Sequence, residues 1–172
     1  MLNIRTDRGL TEAISCGVTS RSPEWPRVQK EHLKMEPHCA CCKPGTNTSA
    51  SLQVHHKFPF HYCVALGRPD LELDQRNLIT LCETSKKGPA DDHHLLVGHL
   101  GDFKSSNLGV DQGVKTFNGL TEEEIKTDQL WRQDVKSRLK PLNDMTEDEK
   151  HSFRELMDKT FPLVDKALNE KQ

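Results

Sequence analysis

The sequence predicts an α+β protein built on two short strands, with helical segments before and after them in the chain. Three observations carry that expectation. Residues 52–56 and 78–81 are short runs set between turn-forming stretches, as strands are. The last third of the chain carries two helix-start signals, each followed by apolar residues at helical spacing. Eight of the nine histidines and five of the six cysteines fall between residues 32 and 99, a clustering that points to metal chemistry.

Taken in order, residues 1–20 mix charge, Gly, Thr and Ser without periodicity and read as a loosely ordered arm, in which Cys16 has no evident role. Ser22-Pro23-Glu24-Trp25-Pro26 reads as a helix entrance, with Ser as cap and Pro in the first turn. Trp25, Val28, His32 and Leu33 give that helix an apolar face before Pro37 ends it. Pro44 to Ser51 is a loop of Gly, Asn, Thr and Ser, and Leu52 to His56 is the first strand. A long connection follows from Pro59 to Asp74, anchored by Phe60, Leu66, Leu71 and Leu73. Leu78 to Leu81 is the second strand, and Glu83 to Asp92, with Gly88-Pro89, is again a loop. Asp91 or Asp92 can cap a short helix beginning near His93.

In the C-terminal third, Thr121-Glu122-Glu123-Glu124 and Thr146-Glu147-Asp148-Glu149 both fit the capping box. Ile125, Leu130, Trp131, Val135 and Leu139 form the stripe of one expected helix. Phe153, Leu156, Met157, Val164 and Leu168 form that of a second, with a kink expected at Pro162. Pro141-Leu142-Asn143-Asp144 is the turn between them, and no repeat or heptad pattern stands out.

Composition limits what these elements can build. At 172 residues, 34% hydrophobic and 29% charged, the chain holds one modest domain with appendages. Six Phe, two Trp and one Tyr make a small aromatic complement, and a metal knuckle is a usual way to compensate for limited burial in so small a module. The formal net charge is −2: residues 1–60 carry +3, residues 61–107 carry −2 and residues 108–172 carry −3. A nucleic-acid partner would therefore meet locally clustered Lys and Arg rather than a strong basic face, and its affinity should be modest and salt-sensitive. No apolar run approaches membrane-spanning length, and Met1 to Cys16 lacks the apolar centre of a secretory signal, so a cytoplasmic protein without membrane contact is expected. In a reducing compartment, Cys39-x-x-Cys42 reads as a pair of metal ligands before a disulfide; the competing reading is buried, unliganded packing.

The runs Leu52-Gln53-Val54-His55-His56-Lys57-Phe58-Pro59-Phe60, Asn77-Leu78-Ile79-Thr80-Leu81-Cys82 and His93-His94-Leu95-Leu96-Val97-Gly98-His99 together resemble the HNH (His-Me finger, ββα-metal) endonuclease family. Gly98-His99-Leu100-Gly101-Asp102-Phe103-Lys104-Ser105 is similar to the tail of a standalone subgroup with a Cys-rich zinc knuckle. The resemblance covers roughly residues 21 to 107 and sets the expected divisions: an arm (1–20), a nuclease domain (21–107) and a helical extension (108–172).

The resemblance implies a metal-dependent endonuclease or nickase acting on DNA, with a ββα-metal core. His56 would be the general base and His55, where the family more often has Asp, a ligand of the catalytic ion. Adjacent strand residues face opposite ways, which suits two different roles, although that argument alone allows the reverse assignment. Asn77 would hold the loop behind the catalytic histidine through backbone hydrogen bonds. His94 would be the second protein ligand of the ion, which the family leaves open among Mg, Mn, Ni and Zn.

His99 lies five residues further on, about 140° around a regular helix from His94, so it joins the ion if Gly98 breaks the helix in a left-handed cap and otherwise makes a structural hydrogen bond. Cys39, Cys42, Cys82 and His93 would hold a structural Zn. His93 stands where the family usually has a fourth Cys, the preceding loop is longer than usual, and Cys41 is an alternative ligand. His32, His38, His61 and Cys63 read as bystanders, His61 being the nearest to the site in sequence.

Lys57, Arg76 and Lys104 lead the candidates for phosphate contacts, with Arg68, Lys86 and Lys87 behind them. Two other readings compete: a non-catalytic zinc-stabilised nucleic-acid-binding module, and a toxin or defence nuclease of the same fold acting on DNA or RNA.

Overall fold

A computed structural model describes residues 20–44, 51–83 and 92–163. The arm through residue 19 with Cys16, most of the loop before the first strand, Lys86, Lys87, Asp91, Val164 and Leu168 lie outside the described residues. The architecture is a mixed one, helices around a two-stranded antiparallel sheet.

The chain enters through α1 (Trp25–Met35), whose cap position is Glu24 rather than Ser22 and whose Pro26 stands in the first turn. Proline is tolerated there because the first helical amides have no intrahelical acceptor. Val28 is buried against Val54 and Leu78 of the strands, which seats α1 on the sheet. Thr80 donates its hydroxyl to the Glu36 carbonyl (2.9 Å) and accepts the Ala40 amide at its own carbonyl (2.9 Å). The Cys39 to Cys42 turn is thereby hung on the second strand.

β1 (Ser51–His56) and β2 (Leu78–Glu83) pair with Leu52 opposite Cys82, His55 opposite Ile79 and His56 opposite Leu78. The connection between them contains more structure than its sequence announces. It includes α2 (Phe60–Ala65) and two 3₁₀ turns, Pro69–Glu72 and Gln75–Asn77. Asn77 closes the second of these turns just ahead of β2. The α2 segment is short and almost wholly buried, so it has no polar face to give an amphipathic period.

After β2, Asp92 accepts the Leu95 amide (2.8 Å) and starts a π-helical turn, His94–Gly98, where an ordinary short helix was expected. The left-handed backbone also falls elsewhere than expected: Gly98 does not adopt it, whereas Leu100 (φ 52°) and Gly101 (φ 81°) do. α3 (Val110–Thr116) then packs on this turn and contributes Val110 and Val114 to a core shared with Ile79, Leu81, Leu96 and Val97.

The first C-terminal capping box forms at Thr121, but the helix it starts is short. Residues 122–139 do not make one helix: Asp128 is extended, its carboxylate accepts the Leu130 and Trp131 amides, and it separates α4 (Glu122–Thr127) from α5 (Gln129–Lys136). A strong N-cap inside an apolar stripe starts a new helix because it satisfies amides that a continuous helix would have bonded internally. The second capping box starts α6 (Glu147–Thr160) at Thr146, and α6 ends before Pro162 rather than kinking at it. Phe153, Met157 and Phe161 bury with Phe58, Tyr62, Cys63 and Leu71 in a second core. Among the described residues, no helix is long and apolar enough to cross a membrane.

Candidate metal centres

Two sets of metal-ligating side chains converge among the described residues: Cys39, Cys42, Cys82 and His93, and separately His55, His94 and His99. Within each set the ligand atoms all lie within 4.8 Å of one another.

In the first set, β2 supplies Cys82, the turn hung on Thr80 supplies the two N-terminal cysteines, and His93 closes the fourth side ahead of the π turn. The Cys42 and Cys82 sulfurs are 3.9 Å apart, and His93 Nδ1 lies 3.6, 3.5 and 3.2 Å from Cys39, Cys42 and Cys82. A tetrahedral zinc with ordinary Zn–S and Zn–N bonds has edges of about 3.8 Å (S to S) and about 3.5 Å (S to N). The donor set fits such an ion.

Its electrostatics point the same way. A hydrogen bond with Cys82, supported by His93, pulls the Cys39 thiol well down against the effect of burial. The same bond, with burial, pushes Cys82 up. Burial lowers His93, but hydrogen bonds and charge from Cys39 and Cys41 outweigh it and bring it to about 11. A metal ion that displaced the His93 proton would take over the charge compensation that this imidazole gives the neighbouring sulfurs. Cys41 does not join the ligands and is fully buried in the adjoining core.

The second set is assembled from β1 and the π turn. Residues five apart on an α-helix diverge by about 140°. A π turn has about 4.4 residues per turn, which brings them to roughly 50°. His94 and His99 accordingly face each other, with their Nε2 atoms 3.3 Å apart. His99 Nδ1 bonds the Ser105 carbonyl (2.6 Å) and His94 Nδ1 bonds a Glu83 carboxylate oxygen (2.8 Å). Since a carbonyl and a carboxylate only accept, both Nδ1 atoms carry the hydrogen and both Nε2 atoms present lone pairs to each other. Such an approach is repulsive without a proton or a cation between the rings.

His55 completes the set. Its Nε2 is buried without a hydrogen-bond partner, and its ring lies edge-on to His94 and His99, with centroids 5.4 and 4.8 Å away. Burial, with the nearby His99 and His94, lowers the His55 pKa well below its ordinary value, so the ring is neutral and able to bind a metal. Gly98 makes room for it: a Cβ there would stand 3.1 Å from two atoms of the His55 ring. Three convergent imidazoles, two of them with tautomers fixed by Glu83 and Ser105, fit a divalent transition ion.

His56 turns the other way, as strand alternation requires. Its ring stacks on Trp25 at 4.6 Å and approaches Phe60 at 6.1 Å. Its Nε2–H donates to the Glu72 carbonyl at 2.9 Å. Burial, reinforced by the Arg21 charge, lowers His56 to about 3, so the ring is neutral with its lone pair on Nδ1. Behind it, the fully buried Asn77 accepts the Phe58 amide (2.8 Å) and donates to the Phe58 (3.1 Å) and Leu71 (2.9 Å) carbonyls, fixing the chain as it leaves β1.

The other candidates are dispersed. Lys57 pairs with Asp111 at 2.9 Å, Arg76 is held by Asp74 and the Pro162 carbonyl, and Lys104 is exposed. Arg68 is buried in a structural network. His32 bonds Gln75 at 2.7 Å, His38 is exposed, His61 packs edge-on against Phe60 and Tyr62, and Cys63 is buried; none of them joins either metal set. Glu83 and Ser105 were not foreseen as parts of the site, and Gly98 was singled out as a helix breaker rather than for the room it leaves the His55 ring; no local pattern marks these contacts, because folding alone brings the partners together.

No family model, curated protein or solved structure matches the chain.

Proposed function

We propose that the protein is a metal-dependent endonuclease or nickase of the HNH type, with a ββα-metal core that hydrolyses phosphodiester bonds in DNA. The observation that carries the proposal is the convergence of His55, His94 and His99 on one point, with His56 as the next residue on the same strand. A bound divalent ion would supply Lewis-acid stabilisation of the scissile phosphate and the departing 3′ oxygen. The chain's own residues do the rest. In this reading His56, whose Nε2–H is committed to Glu72, keeps its Nδ1 lone pair for a proton from water, and substrate binding has to bring that water to a ring that packs on Trp25 and faces away from the three histidines. Asn77 keeps the loop after His56 from shifting that lone pair.

The Cys39, Cys42, Cys82, His93 set would hold a structural zinc in this reading. Taken alone, that set also suits a non-catalytic nucleic-acid-binding module, which has no use for three further convergent histidines. Supercoiled plasmid separates the two: nicking with Mg²⁺, Mn²⁺, Ni²⁺ or Zn²⁺ and silence in EDTA are expected. Plasmid left intact with all four ions would overturn the nuclease reading and leave the module.

A further inference from the structure

We propose that Trp131 and Arg138 are positioning residues for the three-histidine site, so that the C-terminal extension sets the site's affinity for its ion. The inference rests on reading His55, His94 and His99 as ligands of one divalent ion.

The spacing of the histidines makes such support necessary. His94 and His99 face each other only because the backbone between them takes a wide π turn, an uncommon conformation that rarely stands on its own. The last carbonyls of that turn, on Leu95, Leu96, Val97 and Gly98, have no acceptor role left inside it and need donors from elsewhere. Each has one. Leu95 accepts the Gly101 amide (2.8 Å), Leu96 the Trp131 indole Nε1–H (2.8 Å), Val97 the Asn107 side-chain amide (2.9 Å) and Gly98 the Asn107 backbone amide (2.9 Å).

The strain continues past the turn. Leu100 has φ 52°, a left-handed conformation that costs a branched apolar residue energy, and its carbonyl accepts a hydrogen bond from Arg138. The Trp131 ring also lies on Gly101: a Cβ at that position would be 3.4 Å from the indole. Two of the donors that hold the histidine-bearing backbone therefore come from a segment more than thirty residues later in the chain. That segment is placed by the Asp128 cap, which ends the preceding helix and starts α5 three residues before Trp131. An indole donor aimed at a π-turn carbonyl is a specific contact, and losing it leaves a partly buried carbonyl without its partner.

The test uses the full chain, loaded with zinc and titrated with Co²⁺ by calorimetry, following both the second binding event and the cobalt absorption spectrum. Trp131→Phe keeps the ring on Gly101 and removes only the donor. Its second-site dissociation constant should rise about tenfold, in the range seen when the partners that orient metal ligands are lost. Its zinc content should stay at the wild-type value, and plasmid nicking should return toward the wild-type rate at saturating Co²⁺.

An unchanged cobalt affinity with a lowered melting temperature would show that Trp131 merely packs, and would overturn the inference. Wild-type protein that binds no second ion would overturn the three-histidine reading itself, and the inference with it. If Trp131→Phe does not fold, Arg138→Met carries the same two outcomes, since it removes the donor to Leu100 from the edge of the contact.

Discussion

His94 gives its Nδ1 hydrogen to Glu83 across 2.8 Å, which leaves Nε2 as the nitrogen of that ring able to bind a cation. The bond also fixes the orientation of the ring, and it lowers the Glu83 pKa. Glu83→Ala is expected to weaken the second metal site by about 10- to 100-fold. Glu83→Gln, which still accepts the hydrogen bond through its amide oxygen, should lose less. Calorimetric titration with Ni²⁺ checks both, and equal affinities for wild type and Glu83→Ala would remove Glu83 from the site.

The four-donor set should act on folding rather than on chemistry. Structural zinc sites bind with about 10 to 16 kcal/mol, comparable to or greater than the whole stability of a typical domain. Cys39→Ser and Cys82→Ser are therefore expected to lose zinc and cooperative melting together, and a chelator should unfold the wild type. Metal analysis beside circular-dichroism melts checks this. Full retention of the melt in a zinc-free sample would mean that the thiols are packing residues.

Variants of His56 and His55 test the proposed division between base and ligand. His56→Ala should leave zinc content and second-site affinity unchanged while nicking falls by about two to four orders of magnitude. His55→Ala should instead weaken the second ion, so that excess divalent metal partly restores the rate. The opposite pattern would exchange the two roles, and normal nicking by both variants would end the nuclease reading.

How much of this was legible follows from how local each signal is. The two strands and both capping boxes rest on near neighbours and the Cys39, Cys42 pair on ligand spacing, while Cys82 and His93 were joined to that pair by the family resemblance alone; the structure brings each together. The placement of His99 depended on the backbone between residues 94 and 99. α-Helical geometry separates the two rings and a π turn unites them, and no residue in Leu95-Leu96-Val97-Gly98 announces the wider turn. α2 was hidden because its first four residues are all buried, which leaves no amphipathic period to read. The break at Asp128 was hidden because the apolar stripe runs through it, and cap strength rather than stripe continuity decides where a helix starts.

The docking of α6 gives the last prediction. Arg68, 1% exposed, donates to Asp70 (2.7 Å), to Asp158 (2.6 Å) and to the Phe161 carbonyl (2.8 Å), so it ties the connection between the strands to the end of α6. Breaking a buried, multiply bonded ion pair costs a few kcal/mol. Arg68→Met should destabilise the protein by about 3 kcal/mol, roughly a 6–12 °C fall in melting temperature at this chain length. Asp158 is 45% exposed, so Asp158→Asn should cost less. Its effect should also depend on pH. Burial raises the Asp158 pKa, but hydrogen bonds from Arg154 and Arg68 outweigh it and leave the group below its ordinary value. A carboxyl with a lower pKa folded than unfolded adds stability that is full above the unfolded value, about 3.9, and is lost as pH falls through the folded one. The melting difference between wild type and Asp158→Asn should thus be present at neutral pH and close below about pH 4. A difference that persists or grows in acid would show that the carboxylate charge is not what holds α6 to Arg68.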